Sequence, residues 1–516
     1  MTPSDYHTIG YRERNMRYST GQYAARVVLC AILLGFSGPV SADEIPEPKS
    51  VAEELLEILH AAGMINDTQY QELRDRARRE DSERIEAAVA AAVAGANEAV
   101  DEAVETAALA ATYAEPNPEP DPQDWNFKWS NGFKLQRNDG AFKLKFGGRI
   151  QNDWAVVDLS ERLENTIGGE GHGTEFRRAR IFFSGTLYDR IIFKAQYEFA
   201  NTGDGKTDLK DAYIGLKDLG PIGTVLVGHQ KEPLSIKGMT SSKYNTFMER
   251  SVADTFSPGR NTGFAAHNNH VDKRIFWHAG AFKESNDSAF SFDNDGMWNL
   301  TGRLVGVPLY EGKGERVVHL GFGYSHQFRG GSDFMLRYRR RPESHLAPYL
   351  ANTGSTLATN NVDIINPEIA IVWGPASFQG EYTRSWVRGD DGTRDTTFWG
   401  AYAEFSYFLT GEQRNYRLGM GDFGRVKPNA NFNPLKGDWG AFQIATRFSY
   451  LDLNDEFTRG GKMWDITAGI NWHLFPNTRL SLNYVHSELE NRLISPNPND
   501  LDGNADIVQA RFQLDF

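Results

Sequence analysis

Several basic side chains recur at two-residue spacing in segments that alternate apolar and polar residues, the spacing that puts side chains on one face of a β-strand. Lys145, Arg149 and Lys194 fall on the polar faces of such segments, Arg178 and Arg180 share a face, and so do Arg337, Arg339 and Arg341. In an extended strand the last three would set guanidinium groups about 7 Å apart along one line. Arginine offers forked donors that match an oxyanion, and successive overlapping sites hand an ion on without trapping it. The same residues also fit a plainer role, pairing with Asp or Glu to order a wall, and the run at 337–341 also fits an external loop that only attracts anions. Arg177, with alternation neighbours Ala179 and Ile181, is expected to face outward or an interface. Against catalysis, the sequence carries no nucleophile elbow, no Gly-rich phosphate loop and no paired His at metal-binding spacing. His267 and His270 stand three apart on an Asn-rich segment with no third ligand nearby. The expectation is a protein that is not an enzyme, with no catalytic residue, metal or cofactor, and nothing points to nucleic acid.

The segments that carry these cations must be long strands. In Phe142 to Trp154 one face reads Phe, Leu, Phe, Gly, Ile, Asn, Trp and the other Lys, Lys, Gly, Arg, Gln, Asp. Ile191 to Phe199, Phe442 to Tyr450 and Trp464 to Leu474 alternate in the same way. Val508, Ala510, Phe512, Leu514 and Phe516 then oppose Gln509, Arg511, Gln513 and Asp515. Strands that span a bilayer need about 9–11 tilted residues, with every backbone group paired by closure of the sheet. An apolar outer face with aromatics toward its ends and a charged inner face are the pattern of a transmembrane barrel; a soluble sandwich would bury the apolar face instead. The fold expected is an all-β transmembrane β-barrel occupying 125–516. At roughly 20–27 residues per strand and connection that length gives on the order of 14–20 antiparallel strands, a size at which the lumen is an aqueous channel.

Composition agrees. The chain has 516 residues, 12% of them aromatic, with 50 Gly and a mean hydropathy of −0.51, and no apolar run reaches the 18 residues that a membrane-spanning helix needs. Arg12, Arg14, Arg17 and Arg26, the apolar run Val27 to Phe36 and the small residues before Asp43 read as a signal peptide over 1–42, cleaved after Ala42. The only cysteine, Cys30, lies within it, so the mature chain would have neither disulfides nor thiolate metal sites. Residues 43–124 hold 6 basic and 21 acidic residues, whereas 125–516 hold 45 of each, so the net charge of −13 belongs to the N-terminal arm. Lumenal selectivity must then come from where charges sit rather than from their sum. Within 43–114 the sequence predicts a helical hairpin, Val51 to Ala62 and Asn66 to Arg79, followed by a self-associating, coiled-coil helix over Ala87 to Ala111. A solvated spacer is the alternative for this arm. The Pro-rich stretch 115–124 is a stiff linker and domain boundary.

Seven ordered blocks resemble the phosphate-selective porins O and P. They are Phe142 to Trp154; Phe176-Arg177-Arg178-Ala179-Arg180 through Ala200; Asp211 to Leu216; Thr240 to Tyr244 with Met248-Glu249-Arg250; Arg337 to Pro342; Leu409-Thr410-Gly411-Glu412; and Arg511 to Phe516. The resemblance implies a trimeric outer-membrane barrel of about 16 antiparallel strands, whose basic side chains guide small anions through a constriction lined by an infolded loop. It places Lys237, Ser241, Ser242 and Lys243 in that loop, where hydroxyl and ammonium donors replace an anion's hydration. The chain departs from the family pattern at two places. Counting back from Ser241-Ser242, Gly238 falls where the family carries its central binding lysine, with Lys237 one place earlier. Lys210 falls where phosphate-specific members carry an aspartate, with Asp211 beside it.

The leading functional expectation is passive diffusion of small anions, phosphate or related oxyanions, through a homotrimeric porin in the bacterial outer membrane, in contact with its lipid. A weakly selective diffusion porin in the same fold is one alternative. The other is a barrel serving as an anchoring platform, with 43–114 in the periplasm and touching the cell wall.

Overall fold

The computed structural model describes residues 51–113 and 121–516, apart from 130–131, 201–206, 287, 292–296, 355–356, 391, 393 and 495–496. The proposed signal peptide with Cys30 and most of the Pro-rich stretch lie outside the described residues. The chain divides into two compact units, Met1–Pro118 and Glu119–Phe516.

The first unit contains α1 (Val51–Ala61) and α2 (Asp67–Tyr113). Asn66 and Gln69 cap α2 reciprocally, each side-chain oxygen accepting from the other's backbone N–H at 2.9 and 3.1 Å. Where the sequence suggested two helices, 66–79 and 87–111, α2 is one 47-residue helix. The intervening Glu80 to Glu86 contains no Gly or Pro, so nothing there ends it.

The second unit is a closed ring of sixteen antiparallel strands: β1 (Lys143–Leu159), β2 (Gly171–Leu187), β3 (Ile191–Glu198), β4 (Asp208–Leu216), β5 (Thr224–Lys231), β6 (Arg260–His270), β7 (Ile275–Lys283), β8 (Trp298–Glu311), β9 (Arg316–Leu336), β10 (Leu357–Trp373), β11 (Ala376–Gly389), β12 (Thr396–Phe408), β13 (Ala441–Asn454), β14 (Arg459–Phe475), β15 (Thr478–Ile494) and β16 (Asn497–Asp515). Each pairs with its sequence neighbour, and β16 closes on β1 from Ala505↔Leu159 to Asp515↔Arg149. The ring begins at Lys143 rather than at 125. The preceding hairpin, Trp125–Trp129 with Phe133–Arg137, only extends the start of β1.

Polarity is inverted relative to a soluble protein. On β16, Val508, Phe512 and Leu514 are 50%, 57% and 42% exposed, whereas Gln509, Arg511 and Gln513 between them are 3%, 1% and 5% exposed. A sandwich would reverse those figures, so the alternation reads as lipid outside and polar lumen inside. At one rim, six connections between strands are turns of two to seven residues; the seventh, 409–440, folds inward. Two segments at the opposite rim, 232–259 and 337–356, enter the lumen as well.

These insertions change the interior. Leu234, Val252 and Phe256 from one segment and Tyr338 and Leu350 from another pack on inward residues such as Val362, Phe398, Leu451, Met463 and Val485. The lumen is thus part apolar core, which the uniformly wet inner face expected from alternation did not include. Gly323 on β9 permits this approach: a Cβ there would stand 1.9 Å from the Leu234 carbonyl oxygen.

Candidate functional site

The basic side chains gather on the β1–β6 arc. Arg149 and Arg180 are direct cross-strand partners, with Arg178 two residues farther along. Opposed like charges destabilise a sheet, so this pairing needs either carboxylates or a bound anion. Carboxylates serve part of the arc. Arg180 bonds Glu198 at 2.5 Å, while Lys194 and Arg260 share Asp211 at 2.5 and 2.8 Å. Arg149 and Lys145 have no carboxylate within ion-pair reach among the described residues. The Arg149 guanidinium donates to the Ser242 hydroxyl at 2.5 Å, and the Lys145 ammonium lies 5.4 Å from the Phe182 ring.

Arg177 differs from expectation. The register of β1 and β2 slips between Gln151 and Asn152, leaving Arg177 as the extra residue of a bulge. A bulge re-aims the side chain it carries, and Arg177 turns inward to grip Glu249 with two bonds of 2.9 and 3.2 Å.

The infolded segment 232–259 crosses the lumen because its backbone is held by the opposite wall. Its carbonyls at Asn245, Thr246, Met248 and Glu249 accept from Arg479, Asn471, Arg511 and Arg447 on β13–β16, at 2.5 to 3.1 Å. At its start, the backbone N–H groups of Ile236 and Lys237 donate to Glu368 and Glu381. The Lys237 ammonium is fully committed, 2.5 Å from Glu404 with both side chains buried. With the backbone fixed on that side, Ser241, Ser242, Lys243 and Tyr244 are left to line the basic arc. At Gly238, which has no side chain, Lys231 from β5 donates to the carbonyls of Gly238, Met239 and Thr240 at 2.6 to 3.2 Å.

The result is a cavity of about 740 Å³ whose lining includes thirteen Lys or Arg and four Asp or Glu. Eight of the residues singled out from sequence line it: Lys145, Arg149, Arg178, Arg180, Lys194, Ser241, Ser242 and Lys243. Lys237 does not. Arg337, Arg339 and Arg341 do not line it either, because β9 ends at Leu336 and the chain turns off the wall into a separate two-residue ladder, Arg339–Arg340 paired with Ala351–Asn352. Arg337 bonds Asn352 at 3.0 Å, while Arg339 and Arg341 each stand 4.3 Å from the Tyr349 ring centre. Their neighbour Arg340 reaches the cavity instead. Sequence reasoning also missed Lys231, Arg250, Arg260 and Arg417. None of these was marked by alternation: Arg260 shares the parity of Phe264, which is 59% exposed, and reaches the cavity from the first position of β6, while the others sit at a strand end or in infolded segments without period. Lys210 lines the cavity 3.1 Å from Asp208, leaving its neighbour Asp211 to Lys194 and Arg260.

Lys243 makes the site titratable. Burial pushes its ammonium down to about 8, opposed by Asp515 at 3.2 Å. The side chain is cationic below that pH and neutral above it. Anion preference, read as zero-current potential in a salt gradient, should therefore fall between pH 7 and 9. Lys243→Gln should reduce the size of that step.

A sixteen-strand ring with a lipid-compatible exterior and a basic interior cavity defines an outer-membrane porin. The chain belongs to the phosphate-selective porin O and P family, whose model matches residues 144–516. Among relatives, an uncharacterized protein of Caulobacter vibrioides is 31% identical over 402 residues, 75% of this chain and 76% of that one. Porin O of Pseudomonas aeruginosa is 25% identical over 420 residues, 75% of this chain and 91% of that protein. Among solved structures, the anion-selective porin from Comamonas acidovorans is similar at a TM-score of 0.45 and 13% identity, over 73% of this chain and all of that one.

Proposed function

We propose that this porin conducts small anions, phosphate and related oxyanions foremost, and that Lys145, Arg149, Ser242 and Lys243 form the seat an anion occupies in transit. The observation that carries the reading is the placement of Arg149 and Lys145: two inward cations without a carboxylate, one already bonded to a loop hydroxyl, in a cavity where cations outnumber acids about threefold. Such groups stand in for a hydration shell, and the adjoining Arg178, Arg180 and Lys194 extend the path with partly neutralised charge. The test is chloride conductance of purified protein in planar bilayers as phosphate is added. Chloride current that falls and saturates at millimolar phosphate or below supports a phosphate seat. Current indifferent to phosphate favours the second reading, a weakly selective anion channel, for which the burial of Lys237 against Glu404 is the supporting observation.

The porin is read as a homotrimer with its N-terminal arm in the periplasm. Val89, Val93, Val100 and Val104 form an apolar stripe on α2, each more than half exposed, as helices that associate in a coil require. Three such helices would give a coil able to reach the cell wall. Deleting 43–124 should weaken attachment to the envelope and leave single-channel conductance intact; loss of conductance would count against this division of labour.

A further inference from the structure

The outer wall of β9 to β13 carries an arginine within a lipid-facing row. On β11 the inward side chains Thr383, Ser385 and Val387 are buried, so Tyr382, Arg384, Trp386 and Arg388 alternate with them on the outside. Arg384 stands directly between Ile365 of β10 and Trp399 of β12 in the strand register. Its guanidinium lies 5.1 Å from the Trp386 ring centre, and Trp399 continues the aromatic surface to Tyr382 and Tyr450 at 5.7 and 4.8 Å. Among the described residues no carboxylate comes within ion-pair reach of Arg384, and its Nε is buried without a hydrogen-bond partner. Two outward acids lie near it in register, Asp363 opposite Trp386 and Asp452 opposite Trp399, and both are engaged elsewhere. One Asp363 oxygen accepts from Tyr324 and His326 at 2.7 Å each while the other stands 4.0 Å from Arg388, and Asp452 faces Lys462 at 3.7 Å. A cation left in this way on an apolar surface calls for an anion from outside the chain.

The height of Arg384 on the wall says which anion. Toward the short-turn rim the outward residues of these strands include Ile369, Phe378, Phe405 and Phe448; toward the opposite rim they become Asn361, Arg388 and Thr397. Arg384 thus sits with Trp and Tyr at the edge of the apolar band, the level of an interfacial girdle. Short turns mark the periplasmic side of such barrels and longer connections the external side, so this edge meets the outer leaflet. We infer that Arg384, Trp386 and Trp399 form a docking site for the phosphate group of an outer-leaflet lipid. Stacking on Trp386 covers one face of the guanidinium and leaves its forked N–H edge for the phosphate oxygens, while the aromatic surface packs on the lipid's apolar part. The site lies outside the lumen and does not depend on the anion-channel reading.

The experiment titrates the full-length porin in detergent with diphosphoryl lipid A and reads the tightest-bound lipid by native mass spectrometry. Arg384→Gln should weaken its retention about tenfold, the effect of losing a hydrogen bond between charged groups, and Arg384→Lys should fall between the two. Lys462→Gln should retain lipid as the wild type does, because that cation is held by Asp452. Lipid A stripped of its phosphates should bind wild type and Arg384→Gln alike. Single-channel conductance should match the wild type in every variant, since these side chains lie outside the lumen. Equal retention of diphosphoryl lipid A by wild type and Arg384→Gln, an equal loss with the phosphate-free lipid, a changed conductance, or displacement of the lipid by millimolar inorganic phosphate would overturn the site. So would an Arg384→Gln porin whose subunits separate while its lipid stays bound, because Arg384 would then face a second copy of the chain.

Discussion

Arg149→Ala combined with Lys145→Ala should carry the largest functional effect, moving the zero-current potential in a tenfold salt gradient from its anion-selective value toward zero or past it. A perfectly selective channel gives about 59 mV for a monovalent ion under that gradient, so a shift of tens of millivolts is measurable. These two cations are singled out because they lack carboxylates. Removing Arg180 would also leave Glu198 without its cation, and removing Lys194 would leave Asp211 to Arg260 alone, so neither change isolates a single lumenal charge. The matching control is the triple Arg337→Ala, Arg339→Ala, Arg341→Ala. Its potential should stay at the wild-type value, because those side chains are spent on Asn352 and Tyr349 outside the cavity. A reversed outcome, with the triple variant losing selectivity and the double variant keeping it, would move the anion path to the 337–356 segment.

The contrast between those two sets shows what a linear sequence conveys. Lys145, Arg149, Arg178, Arg180 and Lys194 were legible because a period of two, anchored by a lipid-facing row such as Ile150, Trp154 and Val156, fixes which face each residue takes. Arg177 was not, since one bulge residue inverts the alternation locally and nothing in Phe176-Arg177-Arg178 marks it. Arg337 to Arg341 keep a two-residue spacing after β9 has ended, where Arg339–Arg340 belongs to a short ladder of its own, so the pattern persists off the barrel wall. Lys237 was placed correctly in the infolded segment, but its partner lies 167 residues away on β12, and pairing at that distance leaves no local signal. Ring closure followed from length and alternation, which bracketed the strand number that the family resemblance narrowed to sixteen. The apolar plug within the ring did not, because Leu234, Val252 and Phe256 belong to an aperiodic connection.

That plug depends heavily on Arg447, and its loss should produce the largest stability change in the molecule. The Arg447 guanidinium is fully buried; it bonds Glu343 of the 337–356 segment at 2.9 Å, donates to the Glu249 carbonyl of the 232–259 segment at 3.1 Å, and stacks 4.4 Å from the Phe247 ring. One wall residue thus pins two infolded segments. Arg447→Ala leaves Glu343 with the hydroxyls of Ser449 and Thr467 and no cation at contact distance. It also leaves the Glu249 carbonyl without its donor. Removing one partner of a buried ion pair costs about 3–5 kcal/mol, because the surviving charge stays desolvated. The cost should appear as a lower unfolding temperature of the detergent-solubilised porin and as frequent conductance steps, since segments released from the wall move within the lumen. Arg447→Met, which retains the packing on Phe247 but not the charge, should destabilise less than the alanine variant yet still produce the steps. If both variants unfold at the wild-type temperature with quiet single-channel traces, the two segments are held by their apolar contacts alone, and the ion pair has no part in keeping the channel's constriction in place.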